Sequence, residues 1–334
     1  MPSKKEEKKH SKSEQENHQQ KAKETNQLQT STSRKTLRRL RNQQQIEKMS
    51  SKIAKECHRL NIKFLDREFD LSEYYSCLYN FCKVTYTSIN DIKRISKLFK
   101  DAKFYADGVS PGDVQQGMKI DDCCFLSAVS TCTNISGVIE TICVERDEQV
   151  GVYGFIFFKD GDWVSTIVDD QLFIWTDVEN NTSTISAASC KDPNETWLPL
   201  LEKEYAKIHG DYKSIEGGTI SHALEDLTGS VSTDYATSEI LDTDRLWKKD
   251  FLNVNRSLLA EPDLEKTKEL LDEHAYSILD ATEYQGTKLV KIRNQWGKTE
   301  WAGDWSDGSE LWTSESMAAL NHRFGDDGIF LDLL

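Results

Sequence analysis

The 334-residue chain has room for about two domains and carries 42 Lys+Arg against 56 Asp+Glu, a net charge of −14. That acidity excludes nucleic acid as the main partner of the folded part, and suits a hard cation, which needs carboxylate oxygens. The eight cysteines (Cys57, Cys77, Cys82, Cys123, Cys124, Cys132, Cys143 and Cys190) form no CxxC pair or zinc-spaced cluster, and no run nears the ~20 apolar residues of a membrane helix.

With no apolar leader at its start, the chain reads as cytoplasmic with free thiols. Residues 1–50 hold 13 Lys+Arg and 6 Asp+Glu, a net of +7, which leaves about −21 for the remainder. Residues 1–45 have almost nothing to bury and are expected to be a disordered basic tail, or at best a transient solvated helix. The cluster Arg34, Lys35, Arg38, Arg39 and Arg41 makes it a solubilising segment that binds anionic partners weakly, or an address for a nuclear or anionic surface. From residue 46 an amphipathic pattern begins with Ile46, Met49, Ile53, Cys57 and Leu60. Residues 92–100 read as a short helix, and 103–117 as strand, turn and loop.

Residues 117–132, GMKIDDCCFLSAVSTC, pass from flexible and polar to small and apolar. A helix that starts at a surface and enters a core has this form, with Asp121 or Asp122 available as N-cap. A cysteine in its first turn feels the positive end of the helix dipole, which favours the nucleophilic thiolate. The plainer reading is a core cysteine.

Beyond it, residues 151–170 form a hairpin turning at Asp160-Gly161. Residues 195–210 carry a helical apolar stripe closed by Gly210, and Gly217-Gly218 marks a boundary between two lobes. Residues 220–230 read as another short helix. Residues 275–284 and 287–294 flank Gln285-Gly286 as a second hairpin, which brings His274 and Asn294 to the same end of neighbouring strands. In a Cys-His-Asn protease the imidazole takes the thiol proton and the amide orients the imidazole.

Several long motifs in the same order resemble the catalytic core of the calpains, the calcium-dependent cysteine endopeptidases, from about Lys63 to the C-terminus. DCCFLSA (122–128) is similar to the family's nucleophile helix. NETWLPLLEKEYAKIHGDY and GGTISHALEDLTGSVS follow the family nearly word for word. HAYSILDA carries its histidine, and KIRNQWGKTEWAGDWSDGSELW is similar to its Asn-Pro-Trp-Gly signature and the acidic, Trp-rich loop beyond. GVYGFIFFKDGDWVS and ILDTDRLW look closest to the fungal calpain-like branch.

The resemblance implies a papain-like α+β core of two lobes: 46–216, helical around the cysteine, and 217–334, an antiparallel β-rich lobe carrying His and Asn. It makes Cys123 the nucleophile, His274 the general base and later acid, Asn294 the orienting amide, and Gln116 the oxyanion donor after a one-residue insertion. It implies Ca2+ as cofactor, held by Gly108 (through its carbonyl), Asp113 and Glu195 in the first lobe and by Glu300, Asp307 and Asp327 in the second. Ile329 stands at a further carboxylate position of that second set. No EF-hand pattern follows, so a calcium response is expected from the two lobes themselves.

The implied function is limited proteolysis of intracellular proteins through a thioester. The opposing reading is a weak or inactive calpain-like scaffold. It rests on Asp121 in place of Gly, Cys124 in place of Trp, Gln295 in place of Pro, the shift at Gln116, and a shortened segment before His274.

Overall fold

The computed structural model describes residues 34–72, 88–117, 120–177, 182–234, 240–253, 260–261, 274–297 and 303–333. Residues 34–60 are helical (α1), so helix already occupies the last part of the expected 1–45 tail, whose residues 1–33 lie outside the described ones. The tail assignment is corrected accordingly. Two contacts explain it: Lys35 Nζ lies 4.6 Å over the Phe158 ring, and the Arg39 guanidinium 4.6 Å over Trp163. Cations docked on aromatic faces need no apolar residue of their own, so composition gave no sign of them. Further along α1, Ile46, Ala54 and Cys57 pack with Val150, Val152 and Ile167. Met49 and Leu60, expected on the buried face, are 46% exposed each.

The hairpin under α1 joins β3 (Val152–Lys159) to β4 (Asp162–Asp169), with β2 (Cys143–Asp147) completing an antiparallel three-stranded sheet. Gly154 in β3 lets the helix approach, since a Cβ there would meet Ser50 Oγ at 2.5 Å and Ile46 at 3.0 Å. A second three-stranded sheet holds β1 (Ser88–Arg94), β5 (Gln171–Asp177) and β6 (Thr182–Ile185). Residues 92–94, expected in a helix, are therefore strand, because their backbone pairs with Gln171–Phe173 of β5; only Ile95–Leu98 make a helical turn. The papain-like α+β architecture holds, with six strands beside the helices among the described residues of the cysteine's lobe.

Two helices form the centre of that lobe, α2 (Cys123–Thr133) and α3 (Trp197–His209), and Phe125 stacks on Tyr205 with ring centroids 4.0 Å apart. Lys203 of α3 is fully buried, yet its Nζ bonds Asp169 Oδ1 at 2.6 Å and the Gln171 carbonyl at 2.9 Å. The ammonium thus ties α3 to the bend between β4 and β5.

Helix α4 (Ile220–Thr228) lies beyond the expected boundary at 216, but Ile220, Ala223, Leu224 and Leu227 are buried in the first core. Its apolar stripe packs with the cysteine lobe, so the division falls later than Gly217-Gly218. The second core gathers Trp247 from α5 (Thr243–Lys249), Phe251, and residues of a four-stranded antiparallel sheet. That sheet has the order β10 (Ile329–Leu333), β9 (Thr287–Asn294), β8 (Tyr276–Tyr284), β7 (Ala260–Glu261). Positive φ at both Gln285 and Gly286 closes β8 onto β9 as a tight hairpin. The lobes join where α2 meets β8: Ser277 Oγ donates to the Ser127 carbonyl at 2.8 Å, and Asn134 Nδ2 to the Leu279 carbonyl at 2.6 Å.

Candidate active site

Cys123 is the first residue of α2, and its side chain is buried. Asp122 holds the N-cap position, but its carboxylate caps no N–H and is itself buried. Burial first, then the nearby charge of Glu202, push that carboxyl well above its ordinary range. Asp121, which stands in place of the resembled family's Gly and adds a negative charge near the thiol, is exposed, where water and salt screen that charge.

Across the seam, Tyr276 of β8 pairs with Asn294 of β9, which sets His274, two residues earlier, beside the Asn294 amide. His274 Nε2 lies 2.8 Å from Asn294 Oδ1. An amide oxygen only accepts, so Nε2 carries the hydrogen and Nδ1 is left for the thiol. Asn294 Oδ1 also accepts the Trp296 N–H at 3.0 Å, which fixes the amide. The edge of Tyr276 and the ring of Trp296 lie 5.0 and 4.9 Å from the imidazole centroid.

The Cys123 thiol is drawn down to about 4. The Cys124 thiol, donating to it, contributes most, followed by hydrogen bonds from His274 and the Ala275 N–H and by the imidazole's charge; burial acts in the opposite direction. Two of these groups, His274 and Ala275, come from the second lobe, so the lobes are closed. Cys124 Sγ also lies 3.3 Å from the Gly218 carbonyl, giving one thiol proton two acceptors. The other thiols contrast with Cys123: burial pushes Cys132 and Cys143 up to about 12.

Gln116 stands on the loop between the lobes. Its N–H donates to the Gln295 carbonyl at 2.8 Å, and its side-chain Nε2 donates to the Ile120 carbonyl at 3.1 Å. The amide expected at an oxyanion is engaged within its own loop.

The expected cation residues divide into two sets. In the first, the Lys191 N–H donates to the Asp113 carbonyl at 3.2 Å, joining the Asp113 loop to the segment before Glu195. Glu195 is 4% exposed and accepts the Ala106 N–H at 2.9 Å. Its carboxyl is pushed up, by burial first and also by the charges of Asp113 and Asp192. Gly108 holds a φ of +95° on the same loop. A divalent cation there would offset both the desolvation and the like charge. Asp113 also accepts Ser110 N–H and Oγ, at 2.8 and 2.7 Å.

The second set does not fit as it stands. Asp307 is engaged by His322 Nε2 and by the Gly325 N–H, both at 2.7 Å, and Asp327 accepts the Ile329 N–H at 3.0 Å. Glu300 lies outside the described residues. Among the described residues no group of three or more His, Cys, Asp or Glu side chains is arranged to hold a metal, and no helix is long and apolar enough to cross a membrane.

Three buried residues at the seam carry no expected role. Arg293 is fully buried; its guanidinium donates to the carbonyls of Asp327, Gly112 (3.3 Å) and Val114 (2.5 Å), spanning both lobes. Gln295 and Ser277 are the others. The one signal in the sequence was Gln295 in place of the resembled family's proline.

The sequence matches the calpain family cysteine protease profile over residues 64–331. It is 35% identical over 246 residues to the calpain-type cysteine protease ADL1 of Oryza sativa subsp. japonica, covering 70% of this chain and 11% of that protein. Calpain-9 of Homo sapiens is 30% identical over 258 residues (71% of this chain, 36% of the relative). The calpain-1 catalytic subunit of Bos taurus is 32% identical over 236 residues (66% and 32%). The chain thus spans about a tenth of the plant relative and about a third of the animal ones. With a family profile covering most of its length, the chain belongs to the calpain family of cysteine proteases.

Proposed function

We propose that this chain is a calcium-dependent, calpain-like endopeptidase of the cytoplasm, cleaving intracellular proteins in extended conformation by acyl transfer. The observation that carries the reading is the Cys123 thiol at the start of α2, drawn down by Cys124, His274 and the Ala275 N–H, beside a His274 whose Nε2 is held 2.8 Å from Asn294 Oδ1. A thiolate in contact with an imidazole attacks a peptide carbonyl without first losing a proton to solvent. The imidazolium then gives its proton to the leaving amine, and the neutral ring takes one from the water that hydrolyses the thioester. Asn294 keeps the ring in the tautomer both steps require.

Calcium enters this reading through the first lobe, where the Gly108 carbonyl, Asp113 and Glu195 would hold it and it would supply positive charge between two chain segments. The reading predicts that an electrophilic epoxide peptide labels Cys123, that calcium increases the labelling, and that Cys123→Ser abolishes it. No labelling with or without calcium would leave the scaffold reading. One observation favours that second reading: the Gln116 amide is bonded to the Ile120 carbonyl, so an oxyanion would have to compete for it.

A further inference from the structure

We propose that Gln295 is a positioning residue, whose buried side chain ties the Asn294 end of β9 to the nucleophile helix through Ser277. The proposal rests on the proteolytic reading of the same site. Gln295 and Ser277 are both fully buried. Gln295 Nε2 donates to Ser277 Oγ at 2.7 Å, and Ser277 Oγ donates to the Ser127 carbonyl at 2.8 Å. The hydroxyl therefore accepts from one lobe's strand end and donates into the other lobe's helix, away from competing water.

The two ends of this relay matter. Ser127 lies one helical turn after Cys123 on α2, and Gln295 directly follows Asn294. The Gln295 carbonyl accepts the Gln116 N–H at 2.8 Å, so one residue grips the oxyanion loop by its backbone and the cysteine helix by its side chain. A proline here, as in the family's signature, would keep the first grip and lose the second, since it has no side-chain donor. With proline the Ser277–Ser127 and Asn134–Leu279 bonds would remain, but Ser277 would lose the donor that ties it to the Asn294 end of β9. Without it, the His274–Cys123 separation depends on fewer contacts, and a shift of about 1 Å there costs up to ~100-fold in rate.

Three variants test the relay. Gln295→Met keeps length and carbonyl but has no donor, Ser277→Ala removes the middle member, and Ser277→Thr restores a hydroxyl. Each is measured for thermal midpoint, for kcat and KM on a peptide, and for the pH profile of Cys123 alkylation by iodoacetamide. The expected result is a kcat lowered about tenfold or more in the first two, with KM unchanged and the alkylation midpoint raised toward that of an ordinary thiol. Ser277→Thr should recover part of the loss, and the double variant Gln295→Met/Ser277→Ala should be no worse than the poorer single. Native kcat and an unmoved alkylation profile in a folded variant would overturn the role. So would losses that merely follow the thermal midpoint and add in the double variant. Where Gln295→Met fails to fold, the smaller change Ser277→Ala carries the test. A native chain that labels normally but turns over no peptide would remove the proteolytic reading, while the alkylation profiles still decide the relay.

Discussion

Gly328 lies so close to Asn294 that a Cβ on Gly328 would stand 2.7 Å from the Asn294 carbonyl oxygen. The Gly328 carbonyl accepts the Asn294 N–H at 2.8 Å, and its φ is +72°. Thus the start of β10 fixes the backbone of the orienting amide, which in turn fixes His274.

Gly328→Ala should therefore displace Asn294 as well as strain its own backbone. The expected outcome is a kcat lowered by about ten- to a hundredfold, as for other small misplacements of reacting groups. Gly308→Ala is the control: Gly308 also has positive φ (+79°), but no atom lies within 4 Å of its added Cβ. It should lose only about 1 kcal/mol of stability and keep its kcat. Equal kcat in both variants would disprove the coupling.

The alkylation of Cys123 gives a direct reading of its electrostatics. With the thiol drawn down to about 4, the rate with iodoacetamide should stay level from neutral pH down to about 5 and fall through about 4. In Cys124→Ala the largest contribution is removed, so the midpoint should rise. A midpoint already near that of a free thiol in the native chain would mean that the imidazole and Cys124 do not act on the sulfur.

How much of this was legible in the sequence varies with the range of the interaction. The Cys123 helix and the Tyr276–Tyr284/Thr287–Asn294 hairpin were readable because apolar spacing and a two-residue turn fix them locally. The meeting of His274 with Asn294 followed from hairpin register alone. The docking of Lys35 and Arg39 on Phe158 and Trp163 was not readable, because both aromatics lie more than 100 residues away and a basic run looks solvated. The same holds for α4, whose helix was expected but whose core was assigned to the other lobe. Gln116 was found as a residue, yet its amide direction depends on Ile120, and Gln295 was recognisable only as a departure.

The helix α1 should contribute measurably to the stability of the core. Ile46 is 1% exposed against Val150, Val152 and Ile167, so Ile46→Ala should cost roughly 2–5 kcal/mol in chemical unfolding. Removing residues 1–45 should lower the thermal midpoint by several degrees, because it takes away the Lys35 and Arg39 contacts. An unchanged midpoint would mean that this part of the helix is not a structural element in solution.

Stability should also depend on pH through Glu204, a fully buried residue of α3. Burial pushes its carboxyl up from 4.5 to about 8, with Lys207, Asp66, Thr166 and Lys203 facing it. Between those values the unfolded chain has released the proton that the folded chain retains. The unfolded state therefore binds fewer protons, and this group's contribution to stability falls as pH rises from about 4.5 to about 8. Glu204→Gln removes the titration, so its unfolding free energy should vary less over that window. An identical pH slope in the variant would refute the assignment.

The proposed calcium response divides unequally between the lobes, and the inequality is measurable. In the first lobe, Glu195 is desolvated and repelled by Asp113 and Asp192, so a divalent cation would stabilise an arrangement that is otherwise unfavourable. That binding would also hold the Asp113 loop against the start of α3, the helix that stacks Tyr205 on Phe125 beneath Cys123. In the second lobe, Ile329 supplies no carboxylate at a further position of the set, and the Asp307 carboxylate is held by His322 Nε2 and the Gly325 N–H. Affinity follows the number and charge of the oxygens, so the second set should bind more weakly or not at all. Calorimetry should accordingly detect one dominant calcium site, lost in Asp113→Ala and in Glu195→Ala but retained in Asp307→Ala. Because the cation would favour one lobe geometry through differential binding, the same two variants should lose any calcium-induced rise in Cys123 labelling. Two sites of equal affinity, or unchanged binding in both first-lobe variants, would contradict this division.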